Sequence, residues 1–247
     1  MQILQEANIP VVLTTGRVYR ELDFFFKKFH IKPQIAITES GAVIVDSEKN
    51  KLFESILSLE SVQKIREAFN RFKTKDSCLT MTFDGENYME AAKSSFRKTH
   101  CISSFDELLN KGQLPTRAML AKFDSKSFDD IERFLENFRA FLGSKLNVCS
   151  ASMRNAEILN PSATKANGIE FLQKLLRFDF KNAACIGDAG NDVQMAKLIS
   201  ERGGISVSMG NGTDVMKEAS DFITDSIEND GYYKFVDTVL NINSKCK

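Results

Sequence analysis

The chain has 247 residues, 43% of them hydrophobic, and its 33 Lys+Arg balance 33 Asp+Glu to a formal net charge of zero. That is enough apolar chain for one large core, or for a core with a smaller companion. Balanced charge without single-sign blocks lacks the electrostatic footprint of a nucleic-acid or anionic-membrane binder, and no apolar run reaches the ~20 residues of a membrane span. Five cysteines (Cys78, Cys101, Cys149, Cys185, Cys246) form no Cys-x-x-Cys pair, and only His30 and His100 could join them in a zinc site. They read as reduced, mostly buried thiols of a cytoplasmic protein. Met1 is followed by neither the basic nor the apolar segment of a signal peptide.

Residues 9 to 15, Ile-Pro-Val-Val-Leu-Thr-Thr, form an apolar run suited to a strand buried on both faces. From Gly16-Arg17 onward Val18, Leu22, Phe25, Phe26 and Phe29 recur at helical spacing, so a helix is expected to follow directly. Gln34 to Thr38 and Ala42 to Val45 read as two short strands around a turn at Ser40-Gly41.

From about Lys51 the texture changes. Helices are expected at Val62 to Phe72 and Phe128 to Leu142, with strands at Cys78 to Phe83, Asn87 to Ala91, Thr116 to Phe123 and Lys145 to Ser150. This order describes a separate α+β lobe.

After about Ala151 strict alternation returns. Strands at Ile158-Leu159, Ala183 to Ile186, Ile205 to Met209 and Phe222-Ile223 alternate with helices at Lys165 to Arg177, Asp192 to Ile199, Asp214 to Ala219 and Tyr232 to Ile242. The expected fold class is α/β: a doubly wound, Rossmann-like parallel sheet with an inserted α+β lobe, its ligand at the carboxyl ends of the strands.

Three strand-helix junctions carry chemistry. Thr14-Thr15-Gly16-Arg17 offers a hydroxyl and backbone N–H groups to an anion, although Thr is also a good helix cap and Gly a common loop residue. Lys165 opens a long helix, where the macrodipole ordinarily prefers an acid; a nearby anion would account for it, and so would the general abundance of surface lysines. Gly187-Asp188-x-x-Asn191-Asp192 places two acids and an amide after a wholly apolar strand, as a Mg²⁺ site needing one or two carboxylates would require; turn chemistry is the competing explanation.

With these residues in view, the chain resembles the haloacid dehalogenase superfamily, specifically the Cof-like sugar-phosphate phosphatases with a type II cap. The resemblance rests on Val11 to Arg17, Glu39-Ser40-Gly41-Ala42, Glu157-Ile158-Leu159 with Lys165, Gly187 to Asp192, Ser208-Met209-Gly210-Asn211 and Asp230-Gly231. It implies that Thr15, with Gly16 and Arg17, binds the transferring phosphate and that Lys165 steadies it. Asp188 and Asp192 would serve a Mg²⁺ site, and Asn191 would orient its neighbours. Thr15, Lys165 and Asn191 are the catalytic residues so implied. The core would comprise 1–51 and 153–247, and a cap at 52–152 would select a small phosphorylated metabolite such as a sugar phosphate. A monomer or homodimer is expected, with no nucleic-acid or membrane partner.

One part of that pattern is missing. The family's Asp nucleophile and its second Asp, two residues later, lie on the first core strand, and no Asp-x-Asp occurs in these residues. Residues 1 to 8 resemble the end of the helix after that strand. The chain as written is therefore expected to be essentially inactive. A chain selected for inactivity would sooner lose two side chains than a core strand, so part of an active phosphatase is the expectation. A phosphate-binding protein without turnover is the alternative, and a phosphomutase a third. A receiver-type phosphorylation domain is disfavoured, because its acids come first in the chain.

Overall fold

The computed structural model describes residues 2–29, 33–91 and 99–245. His30 and Cys246 lie outside the described residues, as do the side chains of Phe25 and Phe29.

A short helix α1 (Gln2–Glu6) precedes β1 (Val12–Thr14), which pairs parallel with β2 (Ile35–Thr38), Val12 opposite Ile35 and Thr14 opposite Ile37. The crossover is α2 (Tyr19–Phe29), anchored by the buried Val18 and Leu22 and by Phe26. It starts later than expected, because a bend at Gly16 and Arg17 intervenes. Strands β3 (Val43–Asp46) and β4 (Lys51–Glu54) follow antiparallel, giving a sheet of order β1-β2-β3-β4. The turn between β2 and β3 puts Glu39 and Ser40 at φ 52° and 55°, a left-handed conformation that costs any side chain but glycine.

The middle of the chain builds a six-stranded sheet. In order come α3 (Leu59–Phe72), β5 (Ser77–Phe83), β6 (Glu86–Glu90), β7 (Thr99–Ile102), α4 (Asp106–Leu109), β8 (Arg117–Lys122), α5 (Phe128–Leu142), β9 (Asn147–Ser150) and β10 (Asn155–Leu159). The sheet order is β7-β6-β5-β8-β10-β9. Val62, Ile65 and Ala68 of α3 and Ile131, Leu135 and Phe138 of α5 fill its core against Met81, Leu120 and Ile158. Ser58 and Ser127 cap these two helices by accepting from the Ser61 and Asp130 amides, each cap contributing about 1 kcal/mol.

Placing Ile158-Leu159 in the parallel core sheet needs correction. Strand β10 pairs antiparallel with both β8 and β9, because Ala156 and Ile158 complete the apolar cluster beneath α3 and α5. At the opposite end, the β5–β6 hairpin tip docks on α2. Asp84 receives Arg20 Nη2 at 2.8 Å and Lys51 Nζ at 2.9 Å. The adjacent Gly85, at φ +73°, could carry no Cβ without approaching the Tyr19 ring to 2.5 Å.

The last third contains α6 (Lys165–Leu176), β11 (Ala184–Gly187), α7 (Val193–Glu201), β12 (Ile205–Ser208), α8 (Asp214–Glu218), β13 (Phe222–Ile223) and α9 (Gly231–Lys245). Strands β11, β12 and β13 form a parallel sheet in that order. The α/β class therefore holds, but as two sheets where one continuous sheet was expected. Each ends on a parallel strand with a ladder on one side only, β1 in one and β11 in the other. A shared core joins them, with Ile35, Ile37 and Ile44 packed on Ile169, Leu172, Met195 and Ile199, and Val12 and Cys185 at its border. Among the described residues no helix is long and apolar enough to cross a membrane.

Candidate active site

The tips of β1 and β11 and the start of α6 meet around this shared core. The Thr15–Arg17 turn leaves β1 with its backbone tied down. The Thr15 amide donates to the Ile37 carbonyl at 2.9 Å, and the Ser40 amide donates to the Thr15 carbonyl at 3.1 Å. Thr15 Oγ1 accepts from the Arg17 amide at 3.1 Å, closing a small hydroxyl-backbone turn. Next to it, Thr14 Oγ1 lies 3.8 Å from Met195 Sδ on α7, which brings this turn beside the helix that follows β11.

Lys165 is the first residue of α6, after Thr164, whose hydroxyl caps the helix by accepting from the Asn167 amide at 3.1 Å. Its ammonium is buried, and Nζ donates to Asp192 Oδ1 at 2.6 Å. The other Asp192 oxygen accepts the Asp188 and Ala189 amides, each at 3.2 Å. Both oxygens of Asp192 are thus engaged, one by the lysine and one by the loop after β11. That loop can close because residue 187 is glycine. A Cβ there would fall 2.6 Å from that of Asp192.

Asp188 differs in kind. It is exposed, its backbone carbonyl accepts the Thr213 amide at 2.9 Å, and its carboxylate has no hydrogen bond or ion pair among the described residues. A free carboxylate at a strand tip is a hard oxygen donor, which is what Mg²⁺ takes. The described residues contain no cluster of three or more His, Cys, Asp or Glu suited to a metal, so this corner fits an ion that keeps several waters and shares its phosphate, and does not fit an all-protein cage.

A cavity of about 240 Å³ opens beside Lys165. Its lining includes Lys165, Asn191 and Ser40, together with Glu132, Arg139 and Ser150 of the six-stranded unit. Arg139 Nη1 donates to Glu132 Oε2 at 2.6 Å and its Nε to the Val148 carbonyl at 3.0 Å. Lys165 and Asn191 are therefore brought together at one cavity, while Thr15, Gly16, Arg17 and Asp188 are not part of its lining. The late Asn211 and Gly231 of the resemblance lie at loop contacts. Asn211 Oδ1 accepts the Ile227 amide at 3.0 Å, and Thr224 Oγ1 donates to the Gly231 carbonyl at 2.9 Å.

Sequence reasoning passed over Arg117. Its guanidinium and the Glu157 carboxylate, each about 3% exposed, lie 2.5 Å apart where the six-stranded unit meets the Thr15–Arg17 turn. Glu39 is buried beside them. It accepts from Thr116 Oγ1, its Oε1 has no hydrogen-bond partner among the described residues, and burial pushes its carboxyl above the ordinary range against the pull of Arg117. A cation at the start of a strand whose next four residues, Ala118 to Ala121, are apolar was the available signal.

A profile of haloacid dehalogenase-like hydrolases matches residues 1–236. The chain is similar to the 5-amino-6-(5-phospho-D-ribitylamino)uracil phosphatase YcsE of Bacillus subtilis (strain 168), 25% identical over 232 residues, which is 94% of this chain and 82% of that protein. The crystal structure of SMU.1108c from Streptococcus mutans UA159 matches at a TM-score of 0.81 and 20% identity, covering 97% of this chain and 89% of the other. The subclass IIB sugar phosphatase BT4131 matches at 0.73 and 16%, covering 96% and 88%. At these identities the structural likeness carries the fold.

Proposed function

From the premise that the chain belongs to the haloacid dehalogenase-like hydrolase family, we propose that it is a Mg²⁺-dependent phosphomonoester hydrolase of small phosphorylated metabolites such as sugar phosphates. The observation that carries this reading is the buried Lys165–Asp192 pair set beside the free carboxylate of Asp188 and the cavity under Asn191. Thr15, Gly16 and Arg17 bind the phosphate in this reading, with the Thr15 hydroxyl and the Gly16 amide as donors, and Lys165 neutralises it. Asp188 would hold the metal directly, with Asp192 behind it fixing both the loop and the lysine. The ion, when bound, supplies charge stabilisation to the phosphoryl oxygens.

The six-stranded unit, from α3 to β10, acts in this reading as the substrate-selecting cap; its sheet extends past the expected bounds of 52–152 to include β10, while β4 stays with the four-stranded sheet of the core. Glu132, Arg139 and Ser150 give the cavity a polar wall, suited to a hydroxylated leaving group like the ribityl chain named for the relative from Bacillus subtilis. The nucleophilic Asp and its acid/base partner are not among the 247 residues. The chain by itself then performs no covalent step, and the setting is cytoplasmic.

The test is to extend the chain by an Asp-x-Asp strand and assay an aryl phosphate with Mg²⁺. Hydrolysis abolished by Lys165→Ala and by Asp188→Ala is expected. An extended protein inert across a broad phosphate panel would overturn the reading, and transfer to a second sugar would make it a mutase. The absence of Asp-x-Asp also favours a second reading, a phosphate-ligand-binding protein without turnover. Saturable binding by the unextended chain, with no product and no gain on extension, would establish it.

A further inference from the structure

We propose that Arg117 is a positioning residue for the Thr15–Arg17 turn, acting from strand β8 of the six-stranded unit. The inference rests on the phosphate-binding role proposed for that turn. Arg117 Nη1 donates to the Gly16 carbonyl and to Glu157 Oε1, both at 2.5 Å, while Nε donates to Thr82 Oγ1 at 3.2 Å. Glu157 Oε2 accepts Ser40 Oγ at 2.6 Å, and the Ser40 amide in turn donates to the Thr15 carbonyl at 3.1 Å. The circuit is closed, buried at Arg117, Glu157 and Ser40 and half-buried at the turn, and it grips two successive carbonyls there.

Peptide planarity converts that grip into a donor array. In a trans peptide the carbonyl of one residue and the N–H of the next point in opposite directions, and no cis bond occurs among the described residues. Holding the Thr15 carbonyl on the Ser40 amide therefore turns the Gly16 N–H away from Ser40, and holding the Gly16 carbonyl fixes the next peptide plane, whose Arg17 N–H donates to Thr15 Oγ1 at 3.1 Å. The tether thus sets the direction of the Gly16 N–H and of the Thr15 hydroxyl, the two donors this turn can offer an anion. The packing leaves little slack, since a Cβ on Gly16 would lie 3.2 Å from Ser40 Oγ and 3.5 Å from Glu157 Oε1. Arg117 suits the task because a planar fork can satisfy a carbonyl and a carboxylate together, which a point-charge ammonium does less well. The geometry of the phosphate turn is thus set in part by the unit that covers it.

The test uses the 247-residue chain. In R117M/E157Q both charges leave together, so no buried ion is stranded, and the amide oxygen introduced at position 157 can still accept from Ser40. The ¹H–¹⁵N resonances of Gly16 and Arg17 are expected to move, and the Kd for inorganic phosphate with Mg²⁺ to rise about tenfold, as losing one charged hydrogen bond implies. R117K, which keeps a cation beside Glu157, is read in the same way should the double variant fail to fold, and a smaller shift in the same direction is expected. Unchanged resonances and an unchanged Kd in a folded variant would overturn the proposal. If the wild-type chain takes up no phosphate, the phosphatase reading suffers, and the amide resonances still decide the tether.

Discussion

Lys165 and Asp192, 27 residues apart in sequence, form an ion pair of 2.6 Å whose side chains are each only 6% exposed. Breaking such a pair leaves an uncompensated charge in the interior, at about 3–5 kcal/mol, whereas replacing both partners by apolar residues is often close to neutral. Lys165→Ala and Asp192→Ala are each expected to lower the urea midpoint sharply. The K165M/D192L pair should melt near wild type yet bind no phosphate. A double variant as unstable as the singles would show that the pair stabilises the fold in its own right.

Asp188→Ala should separate chemistry from stability. The carboxylate is exposed and unbonded among the described residues, so its loss should move stability by no more than about 0.5 kcal/mol. Calorimetric Mg²⁺ binding should nevertheless disappear. Undiminished Mg²⁺ affinity in the variant would remove Asp188 from the metal site.

Glu39 gives the protein a pH signature. Burial raises its carboxyl above the ordinary 4.5, so in the window above that value the folded state keeps a proton that the unfolded chain releases. Its contribution to stability therefore falls as pH rises through that window. Glu39→Gln removes the titration. The variant should gain Tm over wild type at about pH 8, with the gap closing on acidification toward the unfolded value. Parallel Tm profiles across pH would mean that Glu39 ionises alike in both states.

Cysteine labelling reports on the core. Burial pushes the Cys149 and Cys185 thiols up to about 12, which leaves a thiolate fraction on the order of 10⁻⁴ at about pH 8. Iodoacetamide followed by mass spectrometry should find the exposed Cys101 modified first, and Cys149 and Cys185 only after denaturant is added. Native-state labelling of Cys185 at the Cys101 rate would mean that the β11 end of the sheet opens readily.

Most of the elements, and the strand-helix junctions that carry the proposed site residues, were legible in the linear chain because they depend on near neighbours. The stripe Ile131, Phe134, Leu135, Phe138 and Leu142 placed α5 at Phe128–Leu142 as observed. Two acids after an apolar strand marked the β11 loop, and a lysine at a helix start marked α6. Short peripheral pieces such as β4, β7 and α4 escaped, since four residues with little burial carry no period.

What only the tertiary structure decided is partnership. Strand β10 has the apolar content of a core strand, and its place between β8 and β9 follows from which cluster it completes. The division of the α/β core into two sheets depends on ladders between distant segments. Arg117 reaches the Gly16 carbonyl across 101 residues, and a buried charge says only that it must have a partner. Sequence determined which groups could bind a phosphate, because that is a matter of side-chain chemistry and local spacing. Folding determined that Asp192 faces Lys165, that the Asp188 carboxylate has no bond among the described residues and that Arg117 meets the Gly16 carbonyl, because those depend on which segments the core brings within hydrogen-bond reach.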